Sequence, residues 1–146
     1  MKKNVIIEII CFLMIVLFVY AAATKFIEYK KFTVQVGMSP LLPDLAKSIA
    51  WFVPTLEIII AIMLTVERFR LIALYSSFSL MAFFTTYVAG ILTLADHVPC
   101  SCGGVLEKLG WTEHLVLNSG FLLMAFTGVI LQYKKLKMIA PAKFIT

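Results

Sequence analysis

The chain has 146 residues, of which 62% are hydrophobic and 14% charged, and its mean hydropathy is +0.99. These values exclude an ordinary soluble globular protein and predict an integral membrane protein. Because the sequence shows no linker, repeat or low-complexity segment, we expect residues 1–146 to form a single membrane domain. The net charge of +5 is explained by basic residues flanking apolar segments, and nucleic acid is not expected as a partner.

Four apolar segments are long enough to cross the core of a lipid bilayer, which takes about 20 helical residues. They run roughly from Val5 to Thr24, from Ile49 to Val66, from Leu71 to Leu94 and from Leu115 to Tyr133. A backbone in lipid has to satisfy its own hydrogen bonds, and segments of this length favour helices over the short alternating strands of a barrel. The predicted fold is therefore all-α, a transmembrane four-helix bundle.

The first segment also resembles a secretory signal peptide, because Lys2-Lys3 precede the apolar run and Ala21-Ala22-Ala23 follow it. The run is longer than the apolar part of such peptides usually is. Its removal would leave three spans, with the two termini on opposite faces. We therefore expect it to remain as predicted helix 1.

The connection between predicted helices 1 and 2, residues 25–48, is expected to be an amphipathic loop on the outer side. Ser39 before Pro40, or Asp44 after Pro43, is suited to cap a short interfacial helix that leads into helix 2. Trp51 near the start of helix 2 and Trp111 just before helix 4 are both expected at the outer headgroup level, where aromatic residues are enriched.

Glu57 is an ionisable residue inside predicted helix 2, about 9 Å beyond Trp51 along the helix axis. Ionisable groups at such depth are rare, and they are usually paired or functional. Lys25 at the outer end of helix 1 is the expected partner, since its stem can reach down while Pro54 loosens the backbone of helix 2. A structural ion pair is favoured here over a proton-handling site.

The distribution of basic residues predicts the orientation in the membrane, because cytoplasmic flanks collect Lys and Arg. With four spans, both termini share a side. That side carries Lys2, Lys3, Arg68, Arg70, Lys134, Lys135, Lys137 and Lys143, and the opposite side carries Lys25, Lys30, Lys31, Lys47 and Lys108. The bias predicts that both termini are cytoplasmic.

The second predicted outer loop, between helices 3 and 4, carries Cys100 and Cys102, followed by Gly103-Gly104, which permit a tight and accessible turn. A permanent disulfide between residues two apart would close almost no chain and so contribute little stability. Reaching disulfide distance over this spacing requires a bend and some strain, which makes the bond readily reduced. The pair is therefore interpreted as a dithiol that exchanges disulfides.

A metal site is the alternative for the same loop. His97, Cys100, Cys102 and His114 form a set of two nitrogen and two sulfur ligands suited to zinc or Cu(I). The Cys-x-Cys spacing is tighter than the usual gap between the cysteines of structural zinc sites, so a metal is not favoured.

Cys11 is expected to be separate from this chemistry, because it lies in helix 1, roughly 20 Å below the outer surface. We interpret it as a buried, small apolar residue. Without a second cysteine pair on the outer side, a partner has to complete any electron path.

Three segments together resemble a family of membrane proteins: AAATKFIEYKKFTVQVGMSPLL, the PTLE of helix 2, and PCSCGGVLEKLGWTEHLVLN. They are similar to the DoxX-like superfamily, and within it they are most similar to the methylamine-utilisation MauE family of redox-associated membrane proteins. The resemblance runs from about residue 21 to residue 132. Its strongest element is a Cys-x-Cys-x-Gly motif, which corresponds to Cys100, Cys102 and Gly104.

The resemblance implies site residues beyond the cysteines. Trp111 and Asn118 stand at matching places downstream of the motif. The family's lysine after helix 1 and its glutamate in helix 2 correspond to Lys25 and Glu57. From the residues alone, Asn118 is an interhelical hydrogen-bonding residue.

The function that the resemblance implies is assistance in disulfide handling, alongside a thioredoxin-like protein on the extracytoplasmic side. The expected location is the bacterial inner (cytoplasmic) membrane, and in the founding case the process is maturation of a disulfide-rich dehydrogenase subunit. Whether the chain is itself an accessory thiol-disulfide oxidoreductase, and whether methylamine is involved, stays open. Two other functions also stay open: a scaffold or Zn- or Cu-binding subunit of a larger complex, and a small quinone- or lipid-binding protein that uses Glu57.

Overall fold

The computed structural model describes residues 2–38, 43–94 and 110–139, and the described residues contain helices and turns but no strand. The helices are α1 (Lys2–Ile27), α2 (Tyr29–Met38), α3 (Ala46–Thr65), α4 (Arg70–Leu94) and α5 (Trp111–Ile139), with a 3-10 turn at Pro43–Leu45 before α3. The predicted all-α architecture is confirmed over this part of the chain.

Four of the five helices are long and apolar enough to cross a membrane. They are α1 from Asn4 onwards with 24 residues, α3 with 20, α4 with 25 and α5 with 29. The prediction of four spans is confirmed in length and composition. The ends of α1 and α5 lie beyond the predicted limits of 5–24 and 115–133, because a helix continues past its apolar stretch until the backbone is capped or turned.

The connection after α1 was predicted as an amphipathic loop, but its first part forms the ten-residue helix α2. The chain breaks from helix geometry only at Glu28, whose N–H still donates to the Thr24 carbonyl at 2.9 Å. Phe32 and Val36, one helical turn apart, are buried against Ala46 and Ala50 of α3. The amphipathic pattern of this segment thus packs α2 onto the start of α3.

Asp44 was predicted as a cap of a short interfacial helix before helix 2, and it lies inside the 3-10 turn Pro43–Leu45 that leads into α3. The residue before α3 is Leu45, which makes no side-chain cap hydrogen bond. Ser39 and Pro40 lie outside the described residues.

The four long helices pack in a closed ring, with α1 against α3 and α5, and α4 against α3 and α5. One buried apolar cluster joins all four helices and contains Ile7, Ile10, Cys11, Met14, Phe18, Ile60, Ala61, Leu64, Ala73, Leu74, Leu80, Met81, Ala125 and Val129. Cys11 is 3% exposed, so the prediction that it is buried is confirmed. Large apolar side chains such as Phe12, Phe52 and Leu123 cover the outer surface, as contact with lipid requires.

The two ends of the bundle differ. Lys25 near the end of α1, Val88 near the end of α4 and His114 near the start of α5 surround one cavity, together with α2 and the first half of α3. We call this the α2 end. The opposite end, which we call the termini end, contains the starts of α1 and α4 and the ends of α3 and α5.

Candidate functional site

The loop predicted to carry the redox or metal chemistry falls outside the described part of the chain. Cys100, Cys102, Gly104 and His97 are all in residues 95–109. The dithiol and the cysteine-containing metal set therefore stay predictions. Among the described residues, no group of three or more His, Cys, Asp and Glu side chains is arranged to hold a metal ion.

The Lys25 and Glu57 side chains form an ion pair within the bundle. Nζ of Lys25 donates to Oε1 of Glu57 at 2.6 Å, which joins the end of α1 to the middle of α3. The Glu57 side chain is 1% exposed and that of Lys25 is 15% exposed. A carboxylate so deeply buried needs a nearby opposite charge, and Lys25 supplies it.

The environment of this pair is aromatic as well as charged. Nζ of Lys25 lies 5.0 Å from the ring centroid of Phe84 and 5.8 Å from that of Phe32. Aromatic faces attract cations at these distances. Lys25 is therefore held between α1, α2, α3 and α4.

A cavity of about 140 Å³ adjoins the ion pair at the α2 end. All five helices contribute to its wall. Its polar side chains are Thr24, Lys25, Glu28, Gln35, Glu57, Tyr87, Trp111, His114 and Asn118, and the remaining lining is apolar, mainly Phe, Val and Leu. The wall is thus mostly apolar, with a limited number of polar groups, as is typical of sites for small molecules.

Buried polar atoms in this wall that have no hydrogen-bond partner among the described residues include Oε2 of Glu57, Oε2 of Glu28 and Nδ1 of His114. Buried polar atoms are normally paired, because leaving one unsatisfied costs about 1–3 kcal/mol. The cavity therefore has hydrogen-bonding capacity that the protein's own described groups do not use.

The structure brings several of the predicted site residues to this one place. His114, Trp111 and Asn118 come from the first two turns of α5 and line the same cavity as Lys25 and Glu57. Asn118 is buried at 8% exposure. The sequence predicted the pairing of Lys25 with Glu57, but it did not predict that His114 would face the same cavity.

Glu28 is a cavity residue in the segment 25–48, which the sequence predicts as a loop between the first two helices. It stands three residues after Lys25. Residues three apart share a helical face, and helical hydrogen bonding continues almost unbroken from Thr24 to Phe32. That spacing is the signal that would have placed Glu28 beside Lys25.

A second group of buried polar side chains lies at the termini end. Arg70, 8% exposed, lies 3.6 Å from Glu67 through Nη1, and its Nε has no described partner. Gln132 is 3% exposed, and its Oε1 also has no described partner. Neither residue lines the cavity.

Comparison with known protein families gives one result that covers most of the chain. The family described as "Methylamine utilisation protein MauE" matches residues 3–131. This range includes the described cavity and the Cys-x-Cys segment. No curated protein and no solved structure matches the chain.

Proposed function

The chain belongs to the family of the methylamine utilisation protein MauE, and from that premise we propose that it is a membrane-embedded dithiol module. Cys100 and Cys102 exchange disulfides with a thioredoxin-like protein on the extracytoplasmic side. The process served is the maturation of a disulfide-containing protein of the methylamine-utilisation type. The chain is placed in the inner membrane, with both termini in the cytoplasm.

The observation that carries this proposal is the Cys-x-Cys motif in the segment between α4 and α5. α4 ends at Leu94 and α5 begins at Trp111, so the cysteines lie in the connection between the last two spans. Both of these helix ends belong to the α2 end of the bundle. We expect a motif in the connection between two spans to face a partner outside the membrane core.

The exchange that we propose is balanced as a two-electron reaction. The thiolate of one cysteine attacks the partner's disulfide, forms a mixed disulfide and releases one partner thiolate. The second cysteine then attacks the mixed disulfide, which frees the other partner thiolate. The product is a Cys100–Cys102 disulfide and a reduced partner, and the same steps in reverse oxidise the partner.

The buried thiol of Cys11 takes no part in this exchange. It lies in the apolar cluster between the long helices and is 3% exposed. A partner's disulfide cannot reach it without local unfolding of α1. Cys11 therefore provides a matched control, since it is a cysteine of the same chain without access to a partner.

Single substitutions of Cys100 and Cys102 test the proposal in intact cells. Either Cys100→Ser or Cys102→Ser should leave one thiol to form a mixed disulfide that cannot be resolved. The adduct should be seen as a higher band on a non-reducing gel, and it should disappear on reduction and contain a thioredoxin-like protein by mass spectrometry. Cys11→Ser should form no such adduct. If neither loop variant traps a partner and both retain function, the proposal is wrong.

A further inference from the structure

We propose that the cavity at the α2 end binds one neutral aromatic ring with a phenol-type hydroxyl, which donates a hydrogen bond to Oε2 of Glu57. The site consists only of described residues and contains neither cysteine of the proposed dithiol. Its test is therefore independent of the proposed function. The ring would lie between the five helices at the α2 end, beside the Lys25–Glu57 ion pair.

The size of the cavity fits a single ring. Its volume is about 140 Å³. An apolar cavity of about 150 Å³ is known to hold one benzene molecule. A single substituted ring therefore fills this space, whereas a fused ring system or a long acyl chain would have to extend beyond it.

The wall of the cavity matches an aromatic body. Phe32 from α2 and Phe84 from α4 supply ring surfaces, and Val53 and Val88 supply aliphatic surfaces. Aromatic pairs gain more than the burial of area alone when their rings meet edge to face or offset. An apolar ring is thus accommodated by side chains from α2, α3 and α4.

The polar atoms require a ligand that donates hydrogen bonds. Oε2 of Glu57 and Oε2 of Glu28 are buried, face no described donor and belong to side chains that line the cavity. An ionised carboxylate only accepts hydrogen bonds. A hydroxyl on the ring supplies a donor for Oε2 of Glu57, whereas a plain hydrocarbon ring would leave that oxygen unsatisfied.

At Oε2 of Glu57 the local charge favours a neutral donor over a cation, whereas the carboxylate of Glu28 is a separate position in the wall where a cation would find an unpaired acceptor. Glu57 is already paired through Oε1 with the ammonium group of Lys25 at 2.6 Å. A ligand with an ammonium group would bring a second positive charge close to Lys25 in a poorly screened interior, where like charges repel strongly. A hydroxyl satisfies Oε2 without adding charge.

His114 provides a second polar group in the wall of the cavity. It comes from the first turn of α5, and its Nδ1 has no described partner. Imidazole nitrogens donate or accept according to tautomer. The site can therefore accommodate a ring that carries a second oxygen, as a hydroquinone does.

The experiment uses the purified full-length protein in detergent and three probes of similar size. Ligand-observed NMR measures the binding of 4-methylphenol, toluene and benzylamine. We expect 4-methylphenol to bind about tenfold or more tightly than toluene, because a hydrogen bond to a buried charged group is strong. Equal binding of toluene, tighter binding of benzylamine, or no binding of 4-methylphenol would overturn the proposal.

Substitutions test whether 4-methylphenol binds in this cavity. The double variant Lys25→Met/Glu57→Leu removes the acceptor without leaving an unpaired charge, and it should weaken binding of 4-methylphenol by about tenfold or more. Gln132→Leu removes a buried polar side chain at the termini end and should leave the affinity unchanged. If the double variant does not fold, Ala21→Leu tests the site by filling the cavity while the ion pair stays in place. Undiminished binding to folded Ala21→Leu would contradict the proposal.

A last comparison identifies the source of the ring, which is either a free phenol or the head group of a membrane hydroquinone. The probes are hydroquinone and the same ring with an isoprenoid tail. Much tighter binding of the tailed probe, lost in Ala21→Leu, supports a site for a lipid head group. Equal binding of the two probes, also lost in Ala21→Leu, supports a site for a free phenol. If Ala21→Leu binds both probes as the unsubstituted chain does, the cavity is not the site.

Discussion

Glu57 and Lys25 illustrate how much of a membrane site is decided by single residues. A carboxylate in the middle of a spanning helix is costly unless a cation lies close by, and this rule, together with the position and long stem of Lys25, predicted Lys25 as the partner. The structure has the two groups 2.6 Å apart. α3 continues through Pro54, which has no N–H to donate to the Ala50 carbonyl. The ion pair therefore also stabilises a helix in which one backbone hydrogen bond is missing.

Removal of only one partner of this ion pair should destabilise the protein strongly. In Lys25→Met the Glu57 carboxylate stays buried without a counter-charge, which costs about 3–5 kcal/mol in comparable buried pairs. The thermal unfolding temperature of the purified protein should therefore fall well below that of the unsubstituted chain. The double variant Lys25→Met/Glu57→Leu should recover most of the loss, because the Glu57 carboxylate is then no longer buried without its counter-charge.

Lys30→Met is the matched control for that measurement. Lys30 is exposed and lies on α2, one turn beyond the pair. Its substitution should change the unfolding temperature little, as is usual for exposed charges. If Lys25→Met is no less stable than Lys30→Met, the ion pair does not stabilise the fold.

The limits of prediction at this scale are set by tertiary geometry. Charge and depth along one helix identify Glu57 without knowledge of any other helix. His114 and Glu28 are far apart in the sequence, and their positions at one cavity depend on how α1 and α5 are rotated about their axes. Helices that are apolar on most sides carry little periodic signal from which such rotations can be predicted.

Among the helices, the start of α5 shows a local signal that hydropathy does not detect, a polar residue that caps the first turn. The predicted span began at Leu115, but the helix begins at Trp111. The backbone N–H of Gly110 donates to Oε2 of Glu113 at 2.5 Å, which is one half of a capping box. Hydropathy detects only the apolar part of a helix, whereas this polar pair defines its true first turn.

Hydroxyl side chains within the spans follow a common pattern. Ser77, Thr85 and Ser119 each donate to the carbonyl oxygen four residues earlier, at 2.7–2.8 Å. Such bonds satisfy a polar group inside its own helix. These residues therefore need no interhelical partner, and they are compatible with a bundle packed mainly by apolar contacts.

Gly128 is a helix position that leaves little room for a side chain. A Cβ atom there would lie 3.0 Å from Ile10 Cγ2 and 3.1 Å from Leu74 Cδ2, so α5 approaches α1 and α4 closely at this point. Gly128→Leu should overpack the interface, with a loss of stability of about 1–3 kcal/mol. The measurement is the thermal unfolding temperature of the purified variant, compared with that of Gly120→Leu.

Gly120 is a suitable control because it lies on the same helix, and a Cβ atom added there would meet nothing within 4 Å. Gly120→Leu should fold with at least the stability of the unsubstituted chain, since leucine favours a helix more than glycine does. Equal behaviour of the two leucine variants would show that close packing at Gly128 is not required.

For the whole molecule, the number of spans and the helical class were predictable from length and composition, because lipid leaves few alternatives for segments of this kind. The closed ring of four helices, the packing of α2 onto α3 and the cavity were not. They depend on the sizes and shapes of facing side chains, such as Phe32 and Val36 against Ala46 and Ala50. Composition records the presence of these residues but not which of them meet.

The proposed orientation leads to a labelling prediction for the intact protein. In a background with all three native cysteines replaced by serine, single cysteines are introduced as Arg68→Cys and Thr112→Cys. Both positions are exposed, one in the link between α3 and α4 and the other in the first turn of α5. A membrane-impermeant maleimide added to intact cells should label Thr112→Cys and leave Arg68→Cys unlabelled until the cells are permeabilised.

The opposite labelling pattern would place both termini outside and would contradict the orientation inferred from the basic residues. Labelling of both positions in intact cells would contradict the four-span topology. The two variants serve as controls for each other, because they share exposure and differ in the end of the bundle on which they lie.

The uneven packing along the bundle has a consequence for how related sequences can diverge. The interior of the termini half contains fully buried side chains such as Met14, Leu64 and Leu74, and a pocket between α3 and α4 is an open groove on the surface, whereas the α2 half surrounds the cavity. In the interior of the termini half, almost any change of volume disturbs neighbouring side chains. Around the cavity, a larger or smaller side chain alters the space inside without opening a new void. Substitutions that change which ligand fits the cavity can therefore accumulate at the α2 end, while the packing of the termini end keeps the helix bundle unchanged.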